Sequence, residues 1–180
     1  MIKHKYLLAA ALPVVALLAG SVNAHDSRRN KDIEVFARLK SVNEVPTTLS
    51  TTGTGTLRAT IDTEAQTIEF ELNYADLEGG AVQQAHIHLG QRHTTGNVIV
   101  FFCTNLGNNP TAPACPASPG TVKGTITAAD IGGGGAAAGL PAGAFDELVG
   151  LLRSGNMYAN VHTATFPAGE IRGQVHQVNR

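Results

Sequence analysis

Apolar and polar residues alternate with period two along most of this chain, the pattern of strands that bury one face and expose the other. The alternation predicts strands over residues 33–40, 55–62, 67–74, 84–89, 97–104, 121–127, 157–163 and 170–178. Leu57, Ala59 and Ile61 share a parity, as do Ile68, Phe70, Leu72 and Tyr74, while Arg58, Thr60, Glu69, Glu71 and Asn73 take the other. Residues 97–104 differ, because Val98, Ile99, Val100, Phe101 and Phe102 are apolar on both parities, which predicts a central strand covered on both sides. Helical spacing replaces the alternation only over residues 141–154. There Phe145, Leu148, Val149 and Leu152 form one stripe, Asp146 and Glu147 come early, Arg153 comes late and Gly155 supplies the stop. The glycines and alanines of 132–138 read as a flexible linker ahead of it. Short strands punctuated by Gly, Pro, Asn and Asp predict an all-β fold, an antiparallel Greek-key sandwich with one short α-helix before the last two strands.

The first residues do not belong to that pattern. Lys3, His4 and Lys5 precede an apolar run over residues 6–19 and a small-residue site at Val22-Asn23-Ala24, as in a cleaved export signal over residues 1–24. The run falls short of the roughly 20 residues that a membrane-spanning helix needs. The expectation is an exported protein, periplasmic or secreted, without a membrane span. Residues 25–32 read as a flexible leader and residues 33–178 as one domain. A formal net charge of −1 with 15% charged residues argues against nucleic acid and anionic membrane as partners. Cys103 and Cys115 flank a loop rich in Pro, Asn and Gly, and export to an oxidising compartment makes a disulfide the natural reading. Metal-binding cysteines usually lie closer together, as C-x-x-C.

The chemistry gathers on histidines. In a strand, residues two apart point the same way, so His86 and His88 share a face opposite Ala85, Ile87 and Leu89. Near the end of the chain Tyr158, Asn160 and His162 oppose Met157, Ala159 and Val161. In the last strand Glu170, Arg172, Gln174 and His176 oppose Ile171, Gly173 and Val175. A hairpin between these two strands brings His162 beside Glu170 or Arg172, the kind of neighbour that orients a ligating imidazole. Two readings stay open. In one, the three histidines are structural and satisfy loop carbonyls at a sheet edge. In the other, His86, His88 and His162 are three ligands for copper or zinc. His93, in the loop 91–96, is a further candidate ligand against a reading as a solvated side chain. His25, if cleavage leaves it at the amino terminus, adds an amine-imidazole copper chelate against a reading as a frayed end.

His86-Ile87-His88 with Gly90, then Tyr158-Ala159-Asn160-Val161-His162-Thr163 and Pro167-Ala168-Gly169-Glu170-Ile171-Arg172-Gly173, resemble the CHRD domain, the module named after chordin. Phe36-Ala37-Arg38-Leu39, Asn43-Glu44-Val45-Pro46 and Thr52-Gly53-Thr54-Gly55 resemble that family's opening strands, so the likeness runs over about residues 33–178. It implies an immunoglobulin-like or superoxide-dismutase-like sandwich in an exported bacterial protein. Chordin's growth-factor binding goes with cysteine-rich modules that two cysteines do not make.

No serine triad, H-E-x-x-H, phosphate loop or dinucleotide fingerprint occurs. Enzymatic activity is therefore unsupported by any motif. The first functional expectation is an exported, non-catalytic binding or structural module for a protein or extracellular ligand not yet identified. The alternative is copper or zinc binding through His86, His88 and His162, extending to dismutase-like redox activity.

Overall fold

The computed structural model describes residues 32–178; the export signal, His25 and all but the last residue of the leader lie outside the described residues. The strands are β1 (Ile33–Lys40), β2 (Thr54–Asp62), β3 (Thr67–Ala75), β4 (Val82–Leu89), β5 (Asn97–Thr104), β6 (Gly120–Ile126), β7 (Met157–Thr163), β8 (Ile171–Gln174) and β9 (His176–Gln177). They form one antiparallel sheet in the order β5-β4-β7-β8-β1-β2-β3-β6, with β9 beside β1. The ends of that order, β5 and β6, come into contact, so the sheet rolls nearly into a barrel. Pairing of β3 with β6 and of β4 with β7 takes the chain across the ends, the Greek-key kind of connection. Among the described residues no helix is long and apolar enough to cross a membrane.

Period-two patterning explains the interior directly. Val35, Ala37 and Leu39 of β1 lie opposite Ala59, Leu57 and Gly55 of β2, and β2 continues in register onto Phe70, Leu72 and Tyr74 of β3. All these side chains point inward, and Phe70 meets Phe102 of β5 across the interior at 4.8 Å between ring centroids. One helix, α1 (Phe145–Ser154), covers the interior with the predicted stripe of Phe145, Leu148, Val149 and Leu152. Gly155, at φ 75°, ends it in the left-handed conformation that glycine adopts without strain. The disulfide joins Cys103 at the end of β5 to Cys115, with 5.0 Å between Cα atoms.

Two expectations need correction. The β5 strand is not central; it stands at one end of the hydrogen-bonded order. Its apolar residues on both parities have another cause. Against β4 the register jumps between Ala85 and His86 and again between Ile87 and His88, so Phe102 and Ile99 are extra residues in two bulges. Each bulge resets the alternation, which turns Ile99, Val100, Phe102 and Cys103 all inward and leaves Val98 and Phe101 opposite the two histidines. Nor is 132–138 a loose linker: residues Gly133–Ala138 form a 3-10 turn packed on β5, anchored where Gly132 N–H donates to the Ile99 carbonyl at 2.9 Å. Small residues allow that close approach to the open edge of the sheet.

Candidate metal centre

Strands β4 and β7 pair so that His86 lies opposite Asn160 and His88 opposite Tyr158, with His162 opposite Gln84. Period two puts all of these on the outer parity, which in an ordinary antiparallel sheet faces water. Here it does not. His86, His88 and His162 are 1%, 7% and 5% exposed, because the loop 90–96 and the 164–169 turn fold over them. Their rings touch: centroids lie 4.6 Å apart for His86 and His88 and 4.4 Å for His86 and His162. Phe101 meets the His86 ring edge-on at 5.1 Å.

Hydrogen bonding fixes the protons. His88 Nδ1 lies 2.9 Å from the Gly96 carbonyl and His162 Nδ1 lies 3.0 Å from the Pro167 carbonyl. A carbonyl only accepts, so both Nδ1 atoms carry hydrogen and both Nε2 atoms, in neutral rings, present lone pairs. The His86 Nδ1 to His88 Nε2 contact of 2.8 Å then runs from His86 as donor, which leaves a lone pair on His86 Nε2. Neither His86 Nε2 nor His162 Nε2 has a partner; with Thr51 Oγ1 they are the buried side-chain polar atoms left unpaired among the described residues. An unmatched buried acceptor costs about 1–3 kcal/mol. Burial holds the rings neutral, lowering His86 to about 2 and His88 to about 4 with mutual repulsion adding to it, and lowering His162 as well.

These three residues form a set in which one ring nitrogen of each lies within 4.8 Å of the others. Nitrogens around one tetrahedral ion at about 2.0–2.1 Å are about 3.4 Å apart. An ion on His88 Nε2 displaces the His86 Nδ1–H that donates to it, so closing the set takes a turn of the His86 ring as well as an approach of the nitrogens. Carbonyls hold Nδ1–H of His88 and His162, with Nε2 of His162 free and that of His88 engaged only by the His86 ring; a carbonyl on Nδ1 is the arrangement that orients ligating histidines. Copper and zinc are the ions such a donor set suits.

The neighbours differ from the expected ones. Glu170, fully buried, turns away from His162: its oxygens accept from Glu78 N–H at 2.7 Å, Gly79 N–H at 3.0 Å and the Thr163 hydroxyl at 2.8 Å. A carboxylate is better matched by these three donors than by the unprotonated Nε2 of His162, itself an acceptor. Arg172 pairs with Asn160, and its guanidinium lies 3.4 Å from the centroid of the Tyr158 ring. Tyr158 stacks on His88 at 4.6 Å and 4° between planes, and its hydroxyl accepts from Gly96 N–H at 3.1 Å. Because β4 and β8 flank β7, the tyrosine ring lies between the imidazole and the guanidinium. Arg172 thus reaches His88 through a ring. It also ties down the covering loop by donating to the Gln91 and Thr94 carbonyls at 3.2 and 2.7 Å.

Glu44 carried no signal as a site residue in the sequence, and the fold places it at the site. Asn160 Nδ2 donates to it at 2.6 Å, and burial, outweighing that bond and the attraction of Arg172, pushes its carboxyl up to about 7. The turn over the site needs a glycine: Gly169 has φ 127°, and a Cβ there would meet Asn160 Oδ1 at 2.6 Å and Glu44 Oε2 at 2.8 Å. His93 lies away from the three histidines, in an outer cleft with Arg92 and Arg172. His25 lies outside the described residues.

A rolled antiparallel sheet with a helix over one opening and a buried imidazole cluster under two loops defines an all-β module without a recognisable catalytic motif. The chain belongs to the CHRD domain family, whose family model matches residues 35–175. That span contains His86, His88, His162, Glu170, Arg172 and both cysteines. A comparison with curated proteins finds no match.

Proposed function

We propose that this CHRD domain is a non-catalytic, exported module that holds one copper or zinc ion through Nε2 of His86, His88 and His162. The observation that carries the reading is the pair of buried, unpartnered imidazole lone pairs, His86 Nε2 and His162 Nε2, beside a third engaged only by a neighbouring ring. A cation supplies what those lone pairs lack. The backbone carbonyls of Gly96 and Pro167 keep the rings in the tautomer that faces the ion. Burial of all three histidines favours a held ion over turnover, because redox catalysis of the dismutase kind needs a ligand position open to substrate. Export, from the signal over residues 1–24, fits the Cys103–Cys115 disulfide. The mature domain in this reading is residues 33–178, behind the leader.

The test is metal loading, dialysis and elemental analysis of the native protein and of His86→Ala/His88→Ala, with circular dichroism to show that the variant is folded. One ion per native chain and none in the variant is the expected result. Equal, negligible metal in both eliminates the site and leaves the histidines as pins for the 90–96 and 164–169 segments.

A further inference from the structure

One strand away from the histidines, on the outer face of β1, β8 and β9, lies a cleft of about 270 Å³ whose lining is strongly basic. Arg38 and Lys40 reach it from alternate positions of β1, Arg172 from β8, His176 from β9, and Arg92 and His93 from the loop 90–96. Among the described residues no carboxylate lines it. This concentration of cations stands against a formal net charge of −1 for the whole chain.

The register concentrates like charge on this face. Lys40 sits directly opposite Arg172 in the β1–β8 pair, and like charges in facing positions destabilise a sheet. Arg92 Nη2 has an imidazole, His176 Nε2 at 3.5 Å, as its neighbour instead of an acid. Arg172, already held by the Tyr158 ring and the Gln91 and Thr94 carbonyls, adds its charge to the inner wall, while Arg38, Lys40 and Arg92 are the cations with donors left to offer. An anion seated in the cleft removes the repulsion at its source.

We infer that this cleft binds a tetrahedral oxyanion, sulfate or phosphate, either free as the dianion or as an ester group on a polysaccharide. Guanidinium forks match such oxygens in bidentate fashion, and a lysine adds a point charge. Several permanent cations favour a tetrahedral group, which offers three oxygens to separate donors, over a monocarboxylate, and the free dianion adds charge to that advantage. The volume, at the low edge of the roughly 300 Å³ where small-molecule sites begin, suits one oxyanion group and its attachment point. The inference does not depend on the metal reading, since none of Arg38, Lys40 and Arg92 touches the three histidines.

The experiment uses the full chain at fixed ionic strength in sodium chloride, titrated separately with sulfate, phosphate, acetate and heparin while amide chemical shifts are followed. Saturable shifts at residues 38–40 and 91–94 with sulfate or phosphate are expected, with acetate weaker. The double variant Arg38→Gln/Arg92→Gln should weaken binding by about tenfold or more per arginine, while zinc uptake stays at the native level. Heparin binding far tighter than sulfate at the same residues identifies the polysaccharide as the source; binding of the inorganic ions with no gain for heparin identifies the free ion. No saturable shift in any arm, acetate equal to sulfate, or undiminished binding by the double variant overturns the inference.

Discussion

Glu170→Gln preserves the shape of a fully buried side chain and changes what one oxygen does. Both oxygens of Glu170 accept, Oε1 from Glu78 N–H, Oε2 from Gly79 N–H and the Thr163 hydroxyl. An amide has one acceptor and one donor, so its NH₂ must face a backbone N–H whichever way it is turned. In the better orientation the amide oxygen keeps Gly79 and Thr163, the Glu78 bond is lost and its donor is left unpaired. The unpaired group costs about 1–3 kcal/mol, and the two surviving bonds weaken because the acceptor is no longer a carboxylate. The total is about 3 kcal/mol, or a fall in Tm of about 6–12 °C for a domain of this size. Urea unfolding followed by far-UV circular dichroism reads it, since the chain has no tryptophan and only Tyr fluorescence is otherwise available. Amide exchange should also quicken at Glu78 and Gly79 ahead of the rest. A change within about 0.5 kcal/mol refutes the reasoning, because the desolvation cost of the carboxylate would then cancel its hydrogen bonds.

Acid should destabilise the metal-free protein. His86 and His88, at about 2 and about 4 in the fold, stay neutral where the unfolded chain takes up protons near pH 6.5, so their contribution is complete above pH 6.5 and is lost as pH falls toward those values. Glu44, raised to about 7, works the other way: its contribution is complete below about pH 4.5 and is lost as pH rises toward 7. Two imidazoles against one carboxyl leave a net slope of about 1.4 kcal/mol per pH unit between pH 6.5 and 4.5, steeper where His162 joins; a urea midpoint that is flat or rises on acidification contradicts this. Cys103→Ala/Cys115→Ala should cost about 3 kcal/mol, from release of the loop the disulfide closes, and an unchanged Tm after the double substitution would show that the Asn105 contacts to Val82 and Cys115 hold the loop unaided. Gly169→Ala should cost about 2 kcal/mol or more, through both its positive φ and the clash with Asn160 and Glu44; thermal unfolding checks it, and a neutral result means that the turn relaxes freely.

The strands were legible because period two is local. Seven of the predicted strands exist within two residues of their observed bounds, the eighth, 170–178, is split at Val175 into β8 and β9, and the helix stripe of Phe145, Leu148, Val149 and Leu152 needed no tertiary information. The bulges in β5 were not legible as such. Two inserted residues produce the same both-sided apolar run as a covered central strand, and only pairing with β4 tells them apart. At the site, His-x-His spacing put His86 and His88 on one face, but the approach of His162 depended on the β4–β7 crossover, which no spacing reveals. Glu44 was hidden for the same reason, since its partner Asn160 lies far away in the chain. The carbonyls of Gly96 and Pro167 carry no side-chain signal at all, so the cover they belong to is visible only in the fold.

The most direct measurement of the metal reading follows the imidazole ¹⁵N resonances of the full chain as one equivalent of zinc is added. Large shifts are expected at Nε2 of His86, His88 and His162 together, with the Nδ1–H signals of His88 and His162 persisting on the Gly96 and Pro167 carbonyls. Shifts confined to exposed histidines such as His93 and His176, with the three buried rings unchanged, would contradict it.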